Sequence, residues 1–422
     1  MATLAAPSQP DPAERVWRSN AYALAAGCMC SSLGFTCSWP FIPIILQDLG
    51  ITRHLEAWVG GLVGSFFVMS FLLTPVWGAL ADHFGKRTLT MRAGFGMGAG
   101  FALLPLAPNV WAMLAIFLLI GAANGYIPGA LAMTASTTPV RYIGRAMAIV
   151  QMGGLVGTAL GPALGALMLS LVARGQDVFW ASAALTLLAG AIALLLTREE
   201  VAPQPGRFQL TVLRDLGACL RVRGMPLLYL ANSVFAMTYM GSATVVSLYV
   251  LSLMSGEPAF LERGAPFWIG SATLAMTLAS IVAAYGWGRL LDRARVPHGL
   301  ALALGTAFVS SLALPLVGDP LQLTLVRAVI GALTVGIQPS VLRLVKEQSP
   351  PGMEARALGF AAAVQMIGNG SAPVLAGALA PLAGLRGYFA LNSALLLAML
   401  ALWLLRGPGV ARTWRRAVGE AP

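Results

Sequence analysis

The 422-residue chain is 58% hydrophobic and only 10% charged, against about 25% charged in ordinary globular proteins, which excludes the two or three soluble domains its length would allow. Its formal net charge of +11 comes from 27 basic residues, of which only Lys86 and Lys346 are lysines. No polybasic run interleaves with aromatics, so a nucleic-acid surface is excluded as well. Residues 1–19 are Pro-rich and acid-bearing and read as a cytoplasmic tail rather than a cleaved signal peptide. Hydrophobic runs then fall near 20–46, 57–80, 91–107, 110–133, 144–173, 178–197, 225–254, 266–291, 298–317, 321–346, 354–382 and 386–406. A crossing helix needs roughly 20 apolar residues, so twelve take about 240 and leave only loops and tails. The expected fold is an all-α membrane protein with twelve transmembrane helices in two pseudo-symmetric six-helix bundles, residues 20–197 and 225–406.

Between the bundles, residues 198–224 form the longest polar interruption. Val212, Leu213, Leu216 and Leu220 share a helical face there, with Arg214, Arg221 and Arg223 largely elsewhere. An amphipathic interfacial helix is expected. Residues 407–422 form a second tail. With an even number of crossings both termini share a side, and that side collects all the basic residues except Arg53, Arg174, Arg263, Arg327 and Arg386. The positive-inside rule therefore places both termini in the cytoplasm. Four cysteines (Cys28, Cys30, Cys37 and Cys219) have neither disulfide nor zinc spacing and read as small buried apolar groups.

The halves repeat. GALADHF at 78–84 returns as GRLLDRA at 288–294, and RAMAIVQM at 145–152 returns loosely as RALGFAAAVQM at 356–366. Such duplication is one known transporter plan. A membrane enzyme has no need of it, and no Ser/His/Asp, Cys/His or carboxylate cluster stands at membrane depth.

Residues 78–89, GALADHFGKRTL, resemble the signature loop of the major facilitator superfamily through Gly78, Leu80, Ala81, Asp82, Gly85, Lys86 and Arg87, with His83 where Arg is usual. Gly78 is expected to admit a neighbouring helix, Gly85 to make a tight turn, and Lys86 and Arg87 to anchor that turn. The resemblance implies that Asp82 latches the two halves, with Gly288, Asp292 and Arg293 as the repeat of this loop. The fifth run resembles the motif of the family's antiporters at Gly157, Gly161, Pro162 and Gly165. Pro162 frees the carbonyl of Thr158, and Pro373 frees that of Asn369. A third family signature, Arg-x-x-Gln-Gly, is replaced by Gly121-Ala-Ala-Asn124-Gly125, without the Arg.

All sixteen carboxylates fall in tails, loops or helix ends. Asp82 is the best remaining candidate proton site and Asp48 the next. Arg327, near the outer part of the tenth run, reads either as a snorkelling side chain or as an anchor for an anionic or zwitterionic substrate. Polar residues at depth suggest a cavity: Gln151 and Thr158 on the fifth run, Asn232 and Tyr239 on the seventh, Gln365 and Asn369 on the eleventh, Asn124 and Tyr126 on the fourth, and Gln338 on the tenth. Interhelical hydrogen bonds account for each equally well. Phe35 and Trp39, one turn apart, offer an aromatic wall or core packing. The resemblance, to twelve-helix bacterial drug–proton antiporters of the inner membrane, implies export of lipophilic compounds in exchange for protons, as a monomer with no cofactor or metal. A dedicated exporter or importer of one metabolite (a siderophore, sugar or organic anion), with or without proton coupling, is the alternative.

Overall fold

The computed structural model describes residues 12–199, 217, 219–222, 224–254, 258–293, 296–349 and 353–407. Among these it is helical, with no strand. The helices are α1 (Pro12–Ser38), α2 (Ile42–Asp48), α3 (Leu55–Phe84), α4 (Lys86–Leu103), α5 (Val110–Ala123), α6 (Tyr126–Thr137), α7 (Ile143–Leu171), α8 (Val178–Leu196), α9 (Met225–Met254), α10 (Pro258–Arg293), α11 (Val296–Ser311), α12 (Pro320–Thr334), α13 (Ile337–Gln348) and α14 (Glu354–Arg406). Most of the expected interfacial helix at 198–224, and the tails before residue 12 and after 407, lie outside the described residues.

Eleven stretches among the described residues are long and apolar enough to cross a bilayer, and the last, Ala357–Arg406, holds 50 residues. At 1.5 Å per residue that is about 75 Å, more than twice the roughly 30 Å hydrocarbon core. Gly384, at φ 73° and ψ 163°, breaks it. Only glycine adopts that backbone without strain, so one glycine divides α14 into two crossings and makes twelve. Other crossings are pieced together. α1 and α2 make the first across a turn at Trp39–Phe41, and α5 and α6 make the fourth across Asn124 and Gly125.

The sequence repeat is also a structural one. A short 3-10 turn, Leu-Pro-Leu, precedes the fourth crossing at Leu104–Leu106 and the tenth, made of α12 and α13, at Leu314–Leu316. Asn109 then caps α5 by accepting from the Ala112 amide (3.0 Å), and Asp319 caps α12 by accepting from Gln322 (2.8 Å). Each satisfies an amide that a helix start leaves without a partner.

Where the cores lie decides the shape of the molecule. One apolar core draws on both halves, joining Phe41, Ile45, Val63 and Phe66 with Val245, Tyr249, Ile269 and Phe389. It sits at the end of the bundle that carries residues 48–55 and 171–175. At the other end, rich in basic residues, each half keeps a core of its own. Leu24, Tyr126, Met133 and Val150 belong to the first half, and Leu228, Leu300, Val341 and Trp403 to the second.

Glycines report the same asymmetry. Gly60 on α3 lies against the Pro373 carbonyl and Gly377 of α14, and a Cβ on Gly270 of α10 would stand 3.0 Å from the Pro162 carbonyl of α7. Both seams between the halves thus join a proline carbonyl to a glycine. At the basic end, a Cβ on Gly78, Gly144, Gly286, Gly288 or Gly359 would meet nothing within 4 Å. The expectation that Gly78 receives a neighbouring helix is therefore corrected, because in this arrangement its surroundings are open.

Candidate functional site: the seam and interior of two half-bundles

The loop after α3 turns on Gly85, whose φ of 92° lets α3 end and α4 begin at one residue. The exposed amides at the start of α4 are taken by an acid from the far end of the sixth crossing. Glu199 accepts from the backbone N–H of Lys86 (3.0 Å) and of Arg87 (2.8 Å). The Arg87 guanidinium in return donates to the carbonyls of Ala193 and Leu194 at the end of α8. Negative charge at a helix start and positive charge at a helix end both complement the helix dipole. Arg87 is thus a clasp within the first half, and Glu199 is a member of the loop that the sequence did not suggest. Asn20 extends the clasp by pairing with both the N–H and the C=O of Arg198 (2.9 and 2.8 Å). Asp82 stands near the end of α3, and Asp292 and Arg293 near the end of α10, but their side chains lie outside the described residues.

The antiporter-type ridge faces inward to its own half. Gly157 packs on the Met29 carbonyl, Gly161 on Thr36 and Gly165 on the Cys37 carbonyl. All three contacts are with α1, and side chains there would drive the helices apart. Pro162 lies inside a helix described as continuous, and its carbonyl is the atom facing Gly270 across the seam.

The broken fourth crossing exposes carbonyls that an intact helix would satisfy. The Trp77 indole N–H donates to the Ala122 carbonyl (2.7 Å). The Trp287 indole does the same for Ala332 (2.8 Å), also 45 residues away. Asn124 closes the break with its own side chain, accepting from Gly125 N–H and donating to Ser70 Oγ, both at 2.8 Å. Arg92 from α4 lies over the Trp77 ring, 3.5 Å from its centroid, and reaches the carbonyls of Ala122 and Asn124 (3.4 Å each). The Arg missing from the fourth-run signature thus has a counterpart in space from the third crossing. In the sequence a Trp-Gly pair repeated 210 residues apart, Trp77-Gly78 and Trp287-Gly288, marks the two devices.

The expected cavity residues divide. Tyr126 is buried, its hydroxyl on the Ala189 carbonyl (2.8 Å) and its ring against Gly27 and Gly94, so it is core rather than lining. Asn232 is also fully buried, donating to the Ala361 carbonyl (2.8 Å), and it holds α9 to α14 rather than facing a cavity. Gln338 donates to Gln365 (3.0 Å), joining the tenth and eleventh crossings, and both remain half-buried. Thr158 is half-buried and donates to the Gly154 carbonyl (2.9 Å); Asn369 is half-buried, and Gln151 and Tyr239 are exposed. Phe35 and Trp39, ring centroids 4.4 Å apart, join Phe66, Phe67 and Phe117 in one aromatic cluster. Asp48 lies exposed at the end of α2 and accepts from the Gly175 amide (3.0 Å), a loop fastening. At that same face Arg174 is bound to Asp177 (2.8 Å). That hydrogen bond, and then the charge, raise the pKa of the guanidinium.

Arg327 does not snorkel. It is 2% exposed, eight residues beyond its helix cap, and shares a cavity wall with Tyr239. All four cysteines are free and buried.

Twelve crossings, a duplicated six-helix plan and seams between the halves define the architecture, and the family model for the Major Facilitator Superfamily matches residues 24–269 and 261–421. The chain belongs to the major facilitator superfamily. It is a multi-pass membrane protein of a transporter family, and that membership implies a small-molecule substrate. Among its relatives, "Multidrug resistance protein MdtG" of Proteus mirabilis (strain HI4320) is 25% identical, over 91% of this chain and 94% of that protein. MdtG of Escherichia fergusonii is 27% identical, over 93% and 95%. Similar solved structures include the nucleoside transporter NupG (TM-score 0.72, 14% identity, 92% of this chain and 99% of that one). The human organic anion transporter MFSD10 aligns with a TM-score of 0.66 at 19% identity, over 94% and 100%. At these identities the structures speak for the fold alone.

Proposed function

We propose that this superfamily member exports small lipophilic compounds from the cytoplasm by alternating access, in exchange for protons. The observation that carries the reading is the one-sided seam: the halves share a core at one end and keep separate cores at the other. Two bodies joined at one end and parted at the other are poised to rock. The basic residues gather at the parted end, and the positive-inside rule makes that end cytoplasmic. Both termini, and the opening, then face the cytoplasm. The aromatic cluster around Trp39 and the neutral amides Gln338, Gln365 and Asn369 suit lipophilic cargo held by contact area and a few hydrogen bonds. The name of the MdtG relatives, multidrug resistance protein, supports the same reading.

Asp82, at the parted end, is the carboxylate assigned to the latch and to the proton. Asp48 is the lesser candidate because its carboxylate already holds Gly175. Each proton charge moving inward across about 100 mV supplies roughly 2.3 kcal/mol. At about 1.4 kcal/mol per decade this sustains a gradient on the order of 50-fold per net charge. The protein is expected to act as a monomer.

The test uses purified protein in liposomes with an imposed pH gradient, a panel of lipophilic dyes and the Asp82→Asn variant. Gradient-driven dye movement that the variant loses is the expected result. Dye movement indifferent to the gradient would retire proton exchange. Failure of the folded protein to move any dye would overturn the drug reading in favour of a dedicated metabolite carrier, which the buried Arg327 favours.

A further inference from the structure

We infer that Arg327, Tyr239, Ser242 and Asn392 form a binding site for one compact monovalent anion inside the second half of the protein. The occupant is a halide from the medium or the acid group at the tip of a cargo molecule. The site stands apart from the drug-export reading, since it needs no transport to be occupied.

Arg327 is fully buried, and among the described residues no group accepts a hydrogen bond from its Nε or Nη1. A buried charge of this kind requires a compensating charge and hydrogen bonds. Both nitrogens belong to a side chain that lines a cavity of about 30 Å³, together with Tyr239, Ser242 and Asn392. A water needs roughly 10–15 Å³ measured this way, so one occupant of about that size is admitted.

The other polar walls are already engaged. Thr238 donates to the Phe235 carbonyl and Thr334 to Ile330, and the Ser311 hydroxyl is held between the Phe308 carbonyl and Ser393 Oγ (2.8 Å each). The groups left to meet an occupant are the guanidinium, the Tyr239 and Ser242 hydroxyls and the part of the Asn392 amide not taken by the neighbouring Tyr388 hydroxyl, its Nδ2 standing 3.5 Å from Ser242 Oγ. Among the described residues no carboxylate lines the cavity. One fixed positive charge with a few hydroxyl and amide donors, in an otherwise apolar wall, selects an anion and repels a cation.

The repeat shows that packing does not require this arginine. The shared offset of the helix caps at Asn109 and Asp319 places Phe117 at the position equivalent to Arg327. Phe117 is 1% exposed and fills its place with an aromatic ring.

The test takes the purified full chain into a buffer whose only anion is a bulky organic sulfonate, then titrates chloride, bromide or acetate at constant ionic strength. Expected are a saturable rise in unfolding temperature and binding of one radiochloride per chain, displaced by bromide. Displacement by acetate as well would assign the site to acid groups of cargo in addition to halides. Arg327→Gln should weaken the response at least tenfold, and Arg327→Lys should retain part of it. Should an arginine variant fail to show its own cooperative unfolding, Ser242→Ala and Asn392→Leu must each weaken the wild-type response severalfold. A flat response of the wild type to all three anions overturns the proposal. So does a rise that is indifferent to substitution of these cavity residues, since that would leave the cavity to water.

Discussion

The fourth and tenth crossings occupy equivalent places in the two halves and are built alike at their ends. Each begins with a Leu-Pro-Leu turn and a side-chain cap, at Asn109 or Asp319, and each breaks mid-way with a tryptophan on a released carbonyl. Their middles differ. The first half fills its interior with Phe117, in edge contact with Phe179 (centroids 6.5 Å) and tilted against Trp39. The second half places Arg327 there, beside a cavity. The breaks differ too. Gly125 takes a φ of 138° with Arg92 reaching across, whereas the tenth crossing keeps right-handed backbone at Val335 and Gly336, and Thr306 donates to the Leu333 carbonyl (3.1 Å). Backbone-terminating devices are shared because any broken helix must satisfy the same orphaned groups. Interior side chains answer to no such common requirement, and here they diverge.

Five substitutions break or sharpen this comparison. The largest effect is expected from Gly165→Ala, whose new methyl falls on the Cys37 carbonyl, while the second half already carries Ala376 at the matching place, counted from Pro162 and Pro373. A loss of about 3 kcal/mol is expected in detergent unfolding; a neutral outcome would show that α1 can give way. Arg327→Phe gives the second half the residue of the first. In a halide-free buffer it should raise stability by about 2 kcal/mol, since exchange of buried charge for apolar packing is often stabilising. Trp287→Phe leaves the Ala332 carbonyl without its donor and should cost about 1.5 kcal/mol by thermal unfolding. Trp77→Phe should cost less, about 1 kcal/mol, because Arg92 also reaches the Ala122 carbonyl. Equal costs would mean that Arg92 contributes nothing there. The smallest effect belongs to Glu199→Gln, which removes the negative charge at the start of α4. It should cost about 0.5–1 kcal/mol, read as a lowered midpoint that high salt partly masks.

Much of the fold was legible in the sequence because a bilayer imposes a one-dimensional rule. Every crossing must be a long apolar helix, and hydropathy reveals it. The twelve runs correspond to the described helices, and the Gly-Pro pattern of residues 157–165 marked a close-packed ridge. The interior was less legible. Tyr126 and Asn232 looked like lining residues, yet they are fully buried and bonded to backbone carbonyls. Spacing along one helix gives the shared face but not what that face meets.

The sequence by itself determined the solvent this chain folds in, the number and order of its crossings, its duplication and the side of the bundle that is basic. These follow from composition and local periodicity, which need no partner to be read. Only the tertiary structure decided which end of the seam is closed, that Glu199 caps the start of α4, that Arg92 stands over the broken fourth crossing, and that Arg327 is buried beside a cavity. Each of these joins residues distant in the chain. Their energetics depend on what surrounds a charge or an unpaired carbonyl, and that is fixed only when the helices come together.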